Sequence, residues 1–136
     1  MFNDSFYPTP RDLAEKMLTD IDWTFTREVL EPSAGKGDLA EVIQEIQKRH
    51  FNRWSSVDVH IDTIEQDPNL ISILKGKDFH VIANDFLNFH TYKRYDAIIM
   101  NPPFSNGDLH LLKAISLMER WGGYVVCLLN AETIRN

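Results

Sequence analysis

The spacing of hydrophobic positions changes along the chain, and each change marks an element. Leu13, Met17, Leu18 and Ile21 recur at helical spacing. Thr9-Pro10-Arg11-Asp12 stands just before them, with a capping hydroxyl, a first-turn proline and an acid three residues after the cap, which predicts the helix start. Glu28-Val29-Leu30-Glu31 reads as a short strand that runs into the glycine-bearing turn Pro32-Ser33-Ala34-Gly35-Lys36-Gly37. Leu39, Val42, Ile43 and Ile46 mark a second amphipathic helix. The stretch from Val57 to Ile64 alternates and then turns apolar, predicting a second strand. Pro68 opens a short helix carrying Leu70, Ile71, Ile73 and Leu74, and Phe79 to Ala83 is a third strand. Ala97-Ile98-Ile99-Met100 is apolar throughout, as in a strand buried on both faces. Ser105-x-x-Asp108 predicts a cap for the helix holding Leu111, Leu112, Ile115 and Met118. Tyr124 to Leu129 is a fifth strand, after the turn at Gly122-Gly123.

Strands alternating with helices predict an α/β fold with a mostly parallel sheet covered on both faces. The 136 residues make one domain, 1–136, because a domain usually takes about 100–200 residues. Hydrophobic residues at 43% and charged residues at 25% exclude a disordered chain and a disulfide scaffold. The single cysteine, Cys127, allows no internal disulfide and suits a reducing, cytoplasmic setting. The first residues lack the basic run and apolar stretch of a signal peptide, and no apolar run is long enough for a membrane span, so no membrane partner is expected. The net charge of -6 argues against holding nucleic acid by bulk positive charge. The acidic excess lies in the first half of the chain, where a cationic or hydroxyl-rich ligand would be favoured.

In parallel sheets, ligands gather at the carboxyl ends of the strands, so the residues just after each strand carry the chemistry. After the first strand, Gly35 and Gly37 let the backbone approach a ligand closely. The turn is no P-loop, since Lys36 lies between the glycines and no Ser or Thr follows Gly37. It also lacks the full dinucleotide fingerprint, since Ala40 takes the last glycine's place, and Glu31 and Asp38 would repel a pyrophosphate. The second strand ends in Glu65-Gln66-Asp67-Pro68, where a carboxylate either accepts two ribose hydroxyls or caps the next helix. The third ends in Asn84-Asp85-Phe86, read either as an amine acceptor with an aromatic cover or as a turn acid with a core aromatic. The fourth ends in Asn101-Pro102-Pro103-Phe104. Its prolines mark a loop, but Pro102 also removes an N–H and leaves the local backbone showing acceptors. Asn101 and a neighbouring carbonyl can both accept from one planar NH2 group, and Phe104 can stack on the ring that bears it.

In order along the chain, Phe6-Tyr7-Pro8-Thr9-Pro10, Glu31 to Gly37, Glu65 to Pro68, Asn84-Asp85-Phe86 and Asn101-Pro102-Pro103-Phe104 resemble the motifs of the class I S-adenosylmethionine-dependent methyltransferases. The match is best to the enzymes that methylate adenine N6 in DNA, which serve restriction-modification in bacteria and phages. The resemblance implies a Rossmann-like methyltransferase fold with S-adenosylmethionine as cofactor. It implies that Tyr7, Thr9 and the loop of Pro32, Ser33, Gly35 and Gly37 hold the amino-acid end of the cofactor, that Glu31 orients the methionine, and that Glu65 takes the ribose. By the same resemblance Asp85 and Phe86 bind the cofactor adenine, while Asn101, Pro102, Pro103 and Phe104 hold a target base flipped out of DNA.

That family fold continues with a further helix and a strand hairpin, so the resemblance implies a core truncated after the fifth strand. It then implies an open sheet edge that favours self-association or a partner chain, and only weak DNA binding by this chain alone. Two rival readings share these residues: a methyltransferase acting on RNA or on protein glutamine, and a non-catalytic binding or regulatory protein that keeps the fold. His50, His60, His80, His90 and His110 fall at wide spacings without a zinc pattern, so they read as surface or hydrogen-bonded core residues and no metal is expected. Cys127 and the tryptophans Trp23, Trp54 and Trp121 read as packing, and Lys93 and Arg94 as surface charge.

Overall fold

The computed structural model describes residues 10–49, 59–102 and 104–127, with only the backbone of Phe104 among them. The elements in order are α1 (Arg11–Leu18), β1 (Glu28–Glu31), α2 (Asp38–Arg49), β2 (His60–Ile64), α3 (Pro68–Gly76), β3 (His80–Ala83), β4 (Ala97–Met100), α4 (Gly107–Trp121) and β5 (Tyr124–Cys127). One 3-10 turn, Phe104–Asn106, leads into α4. The five strands form one sheet in the order β3-β2-β1-β4-β5, and every described pairing is parallel. The order reverses beside β1, between β2 and β4, which is the switch point where a crevice opens at the carboxyl edge.

Alternation along each strand separates two cores. On one face Val29, Ile61, Ala97 and Ile99 pack against Ala14 and Leu18 of α1, Ala40 and Ile43 of α2, and Leu74 of α3. On the other, Leu30, Ile64, Ile98 and Met100 pack against Ala114 and Met118 of α4, with Phe86 and Tyr95 from the long connection between β3 and β4. All four residues of β4 are fully buried, as its unbroken apolar run requires.

The structure corrects one sequence expectation about element boundaries, the cap of α4, and others fall outside the described residues. β2 begins at His60, and the expected start at Val57 lies outside the described residues, as do Leu128 and Leu129 at the end of β5. Pro10 occupies the cap position of α1 without a side-chain hydrogen bond, and Thr9 lies outside the described residues. Ser105 sits in the 3-10 turn and does not cap α4, which starts two residues later with Asn106 at its cap position and no side-chain bond there. Asp108 Oδ1 instead accepts from the next backbone N–H, that of Leu109, at 2.9 Å. Trp23 is a packing residue as expected, buried with its indole N–H donating to the Leu18 carbonyl at 3.1 Å. Cys127 is half-buried, and burial pushes its thiol up to about 11, so it stays an inert thiol.

Candidate cofactor and acceptor cleft

The turn after β1 is shaped by its glycines and by one acid from the neighbouring strand. Gly35 and Gly37 both have positive φ, 59° and 100°. A Cβ on Gly37 would come within 2.9 Å of the Phe79 ring, so that position excludes any side chain for reasons of packing as well as conformation. Glu65, just past β2, reaches across and accepts from the Gly35 N–H at 2.8 Å through Oε1 and from the Asp67 N–H at 2.8 Å through Oε2. Two fixed donors hold the carboxylate in one orientation and leave lone pairs on both oxygens. The alternative reading of this segment, a helix cap, belongs to Asp67: its Oδ1 accepts from the N–H groups of Asn69 and Leu70, ahead of Pro68 in the first turn of α3.

Glu31, the last residue of β1, is buried to 1% exposure. Burial, reinforced by the negative charges of Glu65 and Asp38, raises its carboxyl well above the usual range. Among the described residues, Glu31 Oε2 and Ser33 Oγ are buried without a hydrogen-bond partner. Buried polar atoms are nearly always satisfied, so two such orphans two positions apart at the end of β1 make this a candidate ligand-binding position.

These residues line one cleft of about 320 Å³ at the carboxyl edge of the sheet. Its walls include Glu31, Pro32, Ser33 and Gly35 from the end of β1, Glu65 from β2, Asp85 and Phe86 from β3, and Asn101 from β4. The sequence expectation that Gly35, Glu65, Asp85 and Asn101 converge is therefore met. Glu31, Asp38, Glu65, Asp67 and Asp85 make the lining acidic, with Lys36 as the cation among them. Such a cleft suits a ligand that carries a positive charge and hydroxyl donors, and it disfavours a pyrophosphate.

Several expected residues also have structural roles or lie off the cleft. Gly37 and Pro102 are not among the lining residues: Gly37 packs against Phe79, and Pro102 is buried next to Asn101 in the chain. Asp85 acts as the turn acid of the alternative reading, accepting from the Leu87 N–H at 3.1 Å and from the Asn88 amide at 2.5 Å, while still facing the cleft. Phe86 is 2% exposed and belongs to the core beside α4 while also lining the cleft. Tyr7, Thr9 and Pro103 lie outside the described residues, and the Phe104 side chain is likewise not described.

His110 was expected to be an ordinary surface or hydrogen-bonded residue, and it lines the cleft from the first turn of α4. Its Nδ1 lies 2.9 Å from the Asn106 carbonyl, which can only accept, so Nδ1 carries the hydrogen and Nε2 is a bare acceptor. The ring packs on Phe86 with centroids 5.6 Å apart. Burial lowers its pKa, against the opposing pull of the Asn106 carbonyl and Asp85, so it is neutral at physiological pH. Its sequence signal was faint, because only the fold reveals that the first turn of α4 returns to the cleft.

Similarity to known proteins agrees with this geometry. A type II methyltransferase, M.CvrRI of Paramecium bursaria Chlorella virus XZ-6E, is 28% identical over 97 residues, 71% of this chain and 23% of that protein. The chain thus spans about a quarter of the length of that relative. Among solved structures, a Pyrococcus horikoshii protein provisionally described as an RNA methyltransferase superposes with a TM-score of 0.64 at 22% identity, covering 97% of this chain and 65% of that one. An amino pentose methyltransferase of Micromonospora echinaspora, solved with S-adenosylmethionine bound, gives a TM-score of 0.59 at 16% identity, covering 88% of this chain and 48% of that one. At such identities these likenesses speak for the fold alone. The family model for the methyltransferase small domain covers residues 10–119. That span runs from the cap of α1 through the strand ends that build the cleft and into α4, and the chain belongs to the methyltransferase small domain family.

Proposed function

We infer that the cleft binds S-adenosylmethionine and that the chain transfers its methyl group to the exocyclic N6 amine of adenine in DNA. The observation that carries the reading is the meeting of the orphaned Glu31 carboxylate, the doubly anchored Glu65 and Asn101 on one wall. Similarity to a viral type II methyltransferase supports it.

The residues fit the cofactor. Glu31 Oε2 and Ser33 Oγ would take the ammonium and carboxylate end of the methionine, where a cation offsets the buried charge. Glu65 would accept the ribose hydroxyls through the lone pairs that Gly35 and Asp67 leave open. Asp85 and Phe86 would meet the adenine ring. The cofactor brings an electrophilic methyl group on a sulfonium.

The chain's own part is alignment. The lone pair of an aromatic amine is delocalised into its ring and attacks poorly. Asn101, at the end of buried β4, offers an amide oxygen to an amine hydrogen, and the proline backbone beside it shows acceptors rather than donors. Holding both hydrogens draws the nitrogen toward a tetrahedral shape and aims the lone pair at the methyl. A nitrogen–carbon bond forms as the carbon–sulfur bond breaks, the sulfur keeps that electron pair, and the amine then loses one proton to solvent. Orientation of this kind can account for about 7–11 kcal/mol of barrier reduction. Because that amine is shielded inside a duplex, the base must leave the stack first.

A methyl-acceptor assay with labelled S-adenosylmethionine tests the reading. Duplex DNA containing adenine, DNA lacking it, ribosomal RNA and protein extract are offered in parallel. Label confined to adenine-containing DNA is expected. Label in RNA or protein alone overturns the adenine assignment, and no label in any acceptor, with cofactor bound, favours a non-catalytic binding protein.

A further inference from the structure

A second cluster of ligating groups stands on the opposite edge of the sheet, where the strands begin. Register creates it. Glu28 pairs with His60 across β1 and β2, and Asp62 pairs with His80 across β2 and β3. His60 and Asp62 are two apart on one strand, so all four side chains share one face. The Asp62 side chain is 3% exposed, while His60 and His80 are half or more exposed.

We propose that His60, Asp62 and His80 form a binding site for a divalent transition-metal ion of the zinc class. Three observations carry it. The ligand atoms of these residues all lie within 4.8 Å of one another. His80 Nδ1 and His60 Nε2 lie 2.9 and 3.7 Å from the same atom, Asp62 Oδ1. Ligand atoms about 2.0–2.1 Å from a tetrahedral ion are about 3.4 Å apart, so the observed spacings bracket the requirement. The second is the outer shell. Glu28 Oε2 lies 2.8 Å from His60 Nδ1 and Lys93 Nζ lies 3.3 Å from the same nitrogen, so once Lys93 is displaced Glu28 accepts from Nδ1–H and leaves Nε2 as the ligand nitrogen, while the Tyr95 hydroxyl donates to Asp62 Oδ2 at 2.6 Å. Carboxylate–histidine and hydroxyl–carboxylate pairs of this kind orient metal ligands. The third is a displaceable cation. Lys93 Nζ stands 2.8 Å from Asp62 Oδ2 and 3.0 Å from Glu28 Oε2 with its side chain 36% exposed, so it can swing into solvent when a metal takes over the Asp62 carboxylate.

Two imidazoles and one carboxylate select zinc-class ions over magnesium, with water completing the coordination. Because the ligands come from β2 and β3, the ion would pin the amino ends of those strands, far from the cofactor cleft.

Titration of the whole chain with zinc chloride, followed by calorimetry and thermal melting, tests the site, with magnesium chloride alongside. One zinc per chain and a higher melting temperature are expected, with no response to magnesium. His60→Ala and His80→Ala should each weaken zinc binding about tenfold or more. Their metal-free melting should stay near wild type, since both rings are largely exposed. Lys93→Ala should bind zinc as tightly or more tightly, and Glu65→Ala should leave zinc affinity unchanged. Zinc affinity unaltered in the His60→Ala/His80→Ala double variant, or no saturable one-to-one binding up to millimolar zinc, overturns the proposal.

Discussion

At the scale of single residues, the informative groups are those whose chemistry is incomplete. Glu31 is the clearest case. Its raised carboxyl pKa means the folded chain holds a proton there that the unfolded chain releases. The stability it contributes is fully present below the ordinary carboxyl range and is lost as pH rises through the raised value. Glu31→Gln should therefore flatten that decline and raise ligand-free stability near neutral pH by about 1 kcal/mol, checked by urea melts across pH. The same variant should lose most of its affinity for S-adenosylhomocysteine in calorimetry, with wild type binding in the roughly micromolar range. Glu65→Ala should weaken that binding at least tenfold, about 1.4 kcal/mol, by the same measurement. Glu65→Gln is expected to be no gentler. Both carboxylate oxygens face N–H donors, so the amide nitrogen of Gln would set donor against donor at Gly35 or at Asp67. Asn101→Ala should keep cofactor binding while methyl transfer falls at least about a hundredfold in the labelled assay, since it removes the acceptor that aligns the target amine.

At the scale of elements, the strands and the start of α3 at Pro68 were legible, and the start of α4 was not. The apolar run Ala97–Met100 and the glycine turn after Glu31 fixed β4 and β1 in place, because burial on two faces and positive φ leave direct marks on residue choice. Ser105-x-x-Asp108 matched a capping pattern, but the 3-10 turn before α4 moved the cap position on by one residue, to Asn106. Glu31, Glu65 and Asn101 could be placed from their positions at strand ends. The role of His110, the burial of Phe86 and the meeting of His60, Asp62 and His80 depend on helix return and strand register, which single-sequence spacing does not encode. One turn allows a sharp test of packing. Gly123 has φ 118°, and a Cβ there would lie 2.3 Å from the Asp96 carbonyl oxygen. That carbonyl also accepts from the Tyr124 N–H as β5 begins. Gly123→Ala should cost about 2 kcal/mol or more and lower the melting temperature by several degrees, measured by circular dichroism.

For the whole molecule, charge sets what the chain can do alone. With a net charge of -6 and an acidic cleft, it should hold duplex DNA no more tightly than the non-specific range of about 10⁻⁴–10⁻⁶ M, read by fluorescence anisotropy at physiological salt. None of the described helices is long and apolar enough to cross a membrane. The strand order carries one further consequence. Among the described residues, the cleft draws its walls from the ends of β3, β2, β1 and β4, four consecutive neighbours, and none of the lining comes from β5 at the margin. A molecule seated there braces those four against sliding, and parting β1 from β2 would first have to tear the Gly35–Glu65 link. Amide exchange should therefore slow across the braced strands when the cleft fills, while the outer strand goes on breathing at its former rate.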